Sequence, residues 1–254
     1  EGDQWTFFKP PHDELRDLYG IDVQELNVWR PLLDHAVACL GAGQLLRPAA
    51  DAFWLPDTFG TDYRRQHTKS TIILADLDLD TRRLGYFHNA GYFTLGGEDF
   101  INTFRVGFPA DPTFMPLFAE SVRVDGLVRR SSADLLEYSR TLWHRHMRHL
   151  PVRNPVDRFR ERLRADLPWL QEQGLAHYHA WAFATVRQLG AAFELAAQNL
   201  RWMHSLGALP VDESIAAFEE ISTACKSFIL KGARAVNARR DLDVEGMLNP
   251  VADA

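Results

Sequence analysis

The sequence predicts an α+β protein in which an antiparallel sheet domain precedes an all-helical domain. Short apolar runs separated by turn residues fill the chain before residue 105, and long runs with helical spacing follow it. Helical spacing ahead of consecutive strands is typical of the α+β class. We therefore expect an α+β domain over residues 1–105 and a helical domain over residues 106–254.

The first helices are predicted from apolar spacing and from their stop signals. DELRDLYG has helical spacing and ends at Gly20. VQELNVWRPLLDHAVACLGAG continues as helix, with Pro31 at the first turn of a new helix or at a kink, and with Gly41 and Gly43 at the end.

Strands are predicted over the next sixty residues. QLLRPAADAFWLPDT reads as a strand interrupted at Pro48, which places it at a sheet edge or a bulge. STIILADLD reads as a buried strand, RLGYFHNA as the next one, and GYFTLGGEDF as a hairpin-like close.

Beyond residue 105 every segment is predicted to be helical. DPTFMPLFAESVRV is expected to form a short helix, and SSADLLEYSRTLWHRHMRHL a longer one with a serine cap. The next helix has Asn154 at its cap and Pro155 at its first position. One long helix then ends at Gly207, and a last one begins at a cap formed by Asp212.

Composition excludes several functional classes. The 254 residues are 46% hydrophobic and 24% charged with a net charge of −6, so the chain is not built to coat nucleic acid or an anionic membrane. It has no run of about 18 apolar residues, and we expect no membrane span. Two cysteines do not make a disulfide framework, so a cytoplasmic protein is expected. The opening EGDQWTFFK lacks signal-peptide character and a methionine, and we take Glu1 to be a trimmed boundary.

A histidine and an asparagine stand beside neighbouring predicted strands. His67 precedes one apolar run, and Asn89 follows the next. Thiol acyl transfer requires a base near the thiol and a third group that fixes the imidazole tautomer. The pattern fits either a base with its orienting amide or a surface histidine and a turn asparagine.

The residue order of DAFWLPDTFGTDYRRQHTKSTIILADLD and RLGYFHNAGYFTLGGEDF is similar to that of the peptidase C39-like domain of butirosin biosynthesis protein H. EGDQWTFFK, LYGIDVQELNVWRPLLDH and GYFHNAGYF more closely resemble the bacterial family named domain of unknown function 1839. This resemblance extends over the whole chain, with the more specific motifs in the first hundred residues.

The resemblance implies a papain-like cysteine acyltransferase. The donor would be an acyl or aminoacyl carrier protein that carries its own phosphopantetheine, with no tightly bound cofactor or metal, and the acceptor a small molecule. His67 would be the base and Asn89 its orienter, and Asp51 and Tyr63 would line the cleft.

The nucleophile implied by this resemblance is a cysteine upstream of Glu1. Cys39 lies late in a predicted helix, where the helix dipole disfavours a thiolate, and Cys225 follows the histidine in the helical region. The N-terminal helix that bears the nucleophile is therefore expected to lie outside this sequence.

Other charged clusters are predicted to be solvated helix faces. His144, His146 and His149 do not share one face and have no acid to complete a metal site. The alternating arginines of RFRERLR are either a solvated face or a docking strip for an acidic carrier protein. They are Arg158, Arg160, Arg162 and Arg164.

Three functions remain open on the sequence alone. The first is a thiol acyltransferase that uses an amine or hydroxyl acceptor. The second is a cysteine hydrolase of the same fold, and the third is a non-catalytic binding or scaffold protein that lacks the nucleophile.

Overall fold

Antiparallel pairing joins all the strands of the sheet. This computed structural model describes residues 9–109, 118–207 and 211–253, and within them seven strands form one sheet in the order β1-β7-β2-β4-β5-β6, with β3 also paired to β2. The strands are β1 Asp22–Leu26, β2 Leu45–Asp51, β3 Lys69–Thr71, β4 Ile73–Asp78, β5 Arg83–His88, β6 Gly91–Gly96 and β7 Ala119–Arg123.

Three helices accompany the sheet, and two of them contribute to its core. They are α1 His12–Tyr19, α2 Leu32–Gly41 and α3 Gly97–Phe104. Ala36 of α2 and Phe100 of α3 are buried in one apolar cluster with Leu46, Leu74 and Tyr86 of the sheet. Burial of these side chains provides the main stabilisation of the sheet, at about 25 cal/mol per Å² of apolar surface.

The described residues after Ser131 form helices joined by short connections. They are α4 Ser132–Met147, α5 Pro155–Gln173, α6 Leu175–Ala184, α7 Val186–Ser205, α8 Asp212–Ala238 and α9 Val244–Asp253. Phe159, Leu163, Tyr178, Cys225 and Phe228 lie in the buried cluster that these helices share.

Several predicted boundaries are confirmed. Gly20 ends α1 in the left-handed conformation, and α2 begins directly after Pro31. Ser131 and Asn154 cap α4 and α5 through side-chain oxygens that accept backbone N–H bonds.

The helix predicted across VQELNVW is wrong, because residues 22–26 form β1. Val23 is buried and pairs with Val122 of β7. Strand pairing and burial in the sheet therefore outweigh the helical spacing of this segment. Helix therefore begins only at Leu32.

The sheet extends beyond the predicted domain boundary at residue 105. The first part of the helix predicted over DPTFMPLFAESVRV, residues 111–117, lies outside the described residues. Its remainder forms β7, which lies between β1 and β2, so the helix is wrong there. Glu120 is buried in β7, opposite Arg47 of β2. Arg47 lies 2.9 Å from its carboxylate, and this ion pair stabilises the buried negative charge. One compact unit comprises residues 10–130, and the other includes the helices that follow Ser131.

Pro48 lies in an interior strand rather than at the predicted edge. Its carbonyl accepts the N–H of Ile72, the single residue that separates β3 from β4. Proline has no N–H to donate, and the place where this donor is missing lies opposite the gap between β3 and β4. The ladder therefore tolerates Pro48 inside the sheet.

The single long helix predicted to end at Gly207 is divided at Thr185. The hydroxyl and the backbone N–H of Thr185 both donate to the carbonyl of Trp181, at 2.8 and 3.0 Å, and the backbone leaves helical geometry at Thr185, with φ −118° and ψ −93°. Asp212 opens α8 without a capping bond from its side chain, so the predicted cap is wrong there.

Candidate functional site

The connection between β2 and β3 folds back on itself through two short 3-10 helices, Ala52–Trp54 and Pro56–Thr58. The N–H of Ala52 donates to the carbonyl of Thr68 at 2.9 Å and closes this loop at its base. Since Asp51 pairs with Lys69 in the ladder, the end of β2 lies beside the residues just before β3. His67 and Asp51 are brought together in this way.

His67 and Asp51 form what we call the outer dyad. The Nδ1 atom of His67 lies 2.6 Å from Oδ2 of Asp51, and the other carboxylate oxygen accepts the N–H of Phe53 at 3.0 Å. Because a carboxylate only accepts, this bond keeps the proton on Nδ1 of the neutral ring and leaves Nε2 as a base. The Phe53 ring stacks on the imidazole at 4.4 Å and limits its rotation.

The outer dyad is open to solvent. The His67 side chain is 69% exposed and that of Asp51 is 37% exposed. Within the described residues, Nε2 of His67 has no hydrogen-bond partner. An exposed imidazole with an anchored Nδ1 can accept a proton from a group presented at Nε2.

Tyr63, predicted to line the cleft, lies in a cluster next to the outer dyad. Its hydroxyl donates to Asp99 at 3.0 Å, and Arg64 pairs with the same carboxylate at 2.6 Å. The guanidinium of Arg64 also lies over the Trp54 ring at 4.5 Å. These contacts tie the loop to the start of α3 and hold a cationic and aromatic surface close to Phe53.

Asn89 does not contact the outer dyad through any hydrogen bond in the described chain. It lies just after β5 with φ 51°, in the left-handed conformation that asparagine tolerates in turns. The Nδ1 partner of His67 is Asp51, a residue that was predicted to line the cleft. The assignment of Asn89 stays a prediction.

A second histidine site lies close to Asn89, and we call Ser70, His88 and Asp57 the inner triad. The Oγ atom of Ser70 is 2.7 Å from Nε2 of His88, and Nδ1 of His88 is 2.6 Å from Oδ2 of Asp57. Tyr86 donates its hydroxyl to the second oxygen of Asp57 at 2.6 Å. Burial, and the bond to the neighbouring carboxylate, raise the pKa of Tyr86, so it remains a donor.

The inner triad is buried at its base and partly open at Ser70. The side chains of His88 and Asp57 are 6% and 4% exposed, whereas Ser70 is half-buried. In the β2–β3 ladder Ser70 lies opposite Ala50, and Asp51 lies opposite Lys69. Successive side chains of a strand alternate in direction, so Ser70 points away from the face that carries Asp51.

Neither cysteine of the chain is an activated thiol. Burial raises the pKa of Cys39 in α2, and it raises the pKa of Cys225 in α8 to about 11. Cys225 lies in the apolar cluster of the helical unit. Both cysteines therefore behave as small apolar residues.

The arginines of the predicted docking strip lie on α5 among acidic partners. Arg160 pairs with Asp157 at 3.3 Å and with Glu245, which also pairs with Arg164. Arg162 pairs with Asp166 at 2.8 Å. Much of the positive charge of this strip is thus neutralised within the protein.

The described residues hold no group of three or more His, Cys, Asp or Glu side chains arranged to hold a metal ion. Within the same ranges, every helix is too short or too polar to cross a bilayer.

The sequence signal for the inner triad is the alternation of Leu84, Tyr86 and His88 along one face of a predicted strand. All three are buried in β5, while Phe87 between them is exposed, and a buried histidine needs polar partners. Asp57 comes from the loop between β2 and β3, and Ser70 comes from β3. The distance of both from His88 along the sequence gives no sign that the three meet.

Family models match both parts of the chain. The DUF1839 N-terminal domain matches residues 1–124, and the DUF1839 C-terminal domain matches residues 132–254. A search of curated proteins gave no match.

Proposed function

The chain belongs to the DUF1839 family, and on that premise we propose that it is a papain-like thiol acyltransferase. In this proposal it moves an acyl or aminoacyl group from a carrier-protein thioester to a small amine or hydroxyl acceptor. The donor's own phosphopantetheine arm delivers the thioester, and no resident cofactor takes part.

The outer dyad is the observation that carries this proposal. His67 combines an Nδ1 anchored by Asp51, a ring held by Phe53 and an exposed Nε2. A thiol acyltransferase needs these properties in its base, since the base must deprotonate a thiol and later an acceptor. Asp51 keeps the tautomer correct and stabilises the imidazolium formed in between.

Each step of the proposed reaction moves a proton through Nε2 of His67. The reacting thiol loses its proton to Nε2 as sulfur attacks the thioester carbonyl, and the same proton then goes to the departing phosphopantetheine thiol. The acceptor next loses a proton to Nε2 as it attacks the acyl-enzyme, and the enzyme thiol recovers that proton when it leaves.

The proposal assigns the reacting thiol to a cysteine upstream of Glu1. The raised pKa values of Cys39 and Cys225, and the apolar burial of Cys225, are the reasons for not assigning it to either. A thiol paired with the base at Nε2 would instead have its pKa lowered by the imidazolium.

The α5 arginines remain the proposed contact for the acidic carrier protein. A carrier would have to compete with Asp157, Asp166 and Glu245 for these arginines. We therefore expect weak, salt-dependent docking rather than tight binding.

A cysteine hydrolase is the second candidate, and the exposure of His67 favours it. An imidazole that is 69% exposed lies within reach of bulk water, which could serve as the acceptor. Exclusion of water by the bound acceptor would distinguish a transferase from a hydrolase.

The test uses the full-length gene product with an aminoacyl carrier protein and a panel of amine acceptors. We expect His67→Ala to lower transfer by at least about 100-fold, the typical contribution of a positioned base. His149→Ala, which removes an exposed histidine on the helical unit, is the matched control and should keep full activity. Full turnover by His67→Ala would remove the assignment.

Product analysis separates the remaining possibilities. Amide formed in the presence of an amine identifies a transferase, and free acid at every amine concentration identifies a hydrolase. If the unmodified full-length protein forms neither amide nor free acid, the enzyme hypotheses are refuted and the scaffold hypothesis remains.

A further inference from the structure

The inner triad has the geometry of a serine nucleophile with its base and orienting acid. The two bonds that define it, Ser70 to His88 and His88 to Asp57, measure 2.7 and 2.6 Å. Both lie in the range expected for a nucleophile–base and a base–orienter hydrogen bond. This arrangement does not depend on His67 or on a cysteine.

We propose that Ser70 is a second nucleophile of this protein and takes an acyl group from small activated esters and thioesters. His88 is its base, and Asp57 orients His88. The proposal goes beyond the carrier-dependent transfer assigned to the outer dyad, because it rests on different residues and stands whether or not that function holds.

The hydrogen-bond directions follow from the chemistry of the groups. The Asp57 carboxylate accepts from Nδ1 of His88 and from the Tyr86 hydroxyl, so the proton of the neutral imidazole is on Nδ1. Nε2 is then an acceptor, and the Ser70 hydroxyl donates to it. The serine proton is thus already directed at its base.

The reaction balances within these groups and one molecule of water. Oγ of Ser70 attacks the acyl carbon, its proton passes to Nε2 of His88, and the leaving thiol or alcohol departs with that proton. Water then attacks the acyl-serine through the same Nε2, and Ser70 regains its proton as the acid leaves.

Burial favours this role over an incidental contact. His88 and Asp57 are nearly inaccessible, so the carboxylate acts on the imidazole with little screening by water. Tyr86 satisfies the remaining oxygen of Asp57 and keeps it from turning away. Ser70 is half-buried, and it is therefore the least enclosed member of the triad.

The position of Ser70 within β3 sets the expected rate. It lies opposite Ala50. The flanking bonds from Ala52 N–H to the Thr68 carbonyl and from Ile72 N–H to the Pro48 carbonyl make this a hydrogen-bonded pair, so the Ser70 N–H is engaged and does not stabilise an oxyanion. Absence of one such donor typically lowers kcat by about 100- to 1,000-fold. Acylation and deacylation both pass through a tetrahedral oxyanion, so both should be slow, and the acyl-serine itself is the product to detect.

The experiment measures acetylation by p-nitrophenyl acetate with nitrophenolate release and peptide mass mapping. We expect acetyl-Ser70 in the unmodified chain, no such peptide in Ser70→Ala, and a rate at least about 100-fold lower in His88→Gln. Ser121, another half-buried serine on a strand of the same sheet, is the matched reference within each sample.

Acetylation of Ser70 no faster than that of Ser121 in the unmodified chain would overturn the proposal, even if His88→Gln fails to fold. An unchanged rate in folded His88→Gln would also overturn it. His67→Ala should keep Ser70 acetylation while it loses carrier-dependent transfer, so the failure of one site is distinguishable from that of the other.

Discussion

Removal of one hydroxyl tests whether the inner triad is held as the structure shows. Tyr86 is fully buried in β5, and its ring packs 6.0 Å from that of Phe93. Tyr86→Phe keeps the ring and its packing and deletes the hydroxyl that donates to Asp57 at 2.6 Å. No cavity of methyl size is created, so the change isolates one buried hydrogen bond.

The expected magnitude follows from the charge and burial of Asp57. A hydrogen bond to a charged group contributes about 1.5–3 kcal/mol, and the carboxylate left behind has no route to water at 4% exposure. We expect Tyr86→Phe to lower the free energy of unfolding of the sheet unit by about 2 kcal/mol. For a unit of this size, that corresponds to a fall in Tm of roughly 8 °C.

Differential scanning calorimetry and urea unfolding followed by tryptophan fluorescence measure this change. Tyr92→Phe is the control, since Tyr92 is exposed on the neighbouring strand β6 and should change stability by less than about 0.5 kcal/mol. If Tyr86→Phe is as stable as Tyr92→Phe, Asp57 is not held by this bond and the buried network is incorrect.

Two further predictions concern other parts of the chain. Gly232→Ala should destabilise the helical unit by about 1–3 kcal/mol in urea unfolding, because the added methyl would overlap the buried Tyr178, whose Cζ atom lies 2.7 Å from it. Stability should also fall as pH drops below about 6.5, because burial and then the charge of Arg30 lower the pKa of His35, and the unfolded chain takes up a proton that folded His35 does not. His35→Gln should flatten the dependence of unfolding free energy on pH between about 7 and 5.

Each of these predictions has its own control. Gly41→Ala adds a methyl to a helical glycine with open space around it, and it should be neutral or stabilise by up to about 1 kcal/mol. A Gly232→Ala protein as stable as Gly41→Ala would contradict the close packing of α8 on Tyr178. A pH dependence unchanged in His35→Gln would mean that the buried imidazole is not the group whose protonation opposes folding.

The strands and helices that the sequence predicted correctly are those with local signals. Gly20, Pro31, Ser131 and Asn154 each end or begin a helix for reasons contained within a few residues. β5 was recognisable because its apolar run is bounded by turn residues. STIILADLD, predicted as one buried strand, is instead divided at Ile72 into the end of β3 and a partly exposed β4.

The elements that were missed depend on partners far along the chain. β1 and β7 pair with each other, and β7 also pairs with β2, although both partners of β7 lie far from it along the chain. Each of these two segments has local spacing compatible with a helix. These segments form strands because Glu120 pairs with Arg47 and Val23 is buried against Val122.

The same distinction applies to the site. His67 could be selected from sequence as a histidine before an apolar strand, whereas Asp51 entered only as a cleft residue implied by the family resemblance. Only the folded loop shows that Asp51 binds Nδ1, while Asn89 takes a turn conformation beside the neighbouring His88.

The sequence by itself determined the α+β class, the family and the residue types available for acyl chemistry, since these follow from local periodicity, composition and motif order. Tertiary structure alone decided which carboxylate orients which histidine. Hydrogen bonds between side chains depend on how strands register and loops close, and these are set by packing between distant segments, as in the pairing of Asp51 with Lys69 that brings His67 to its partner.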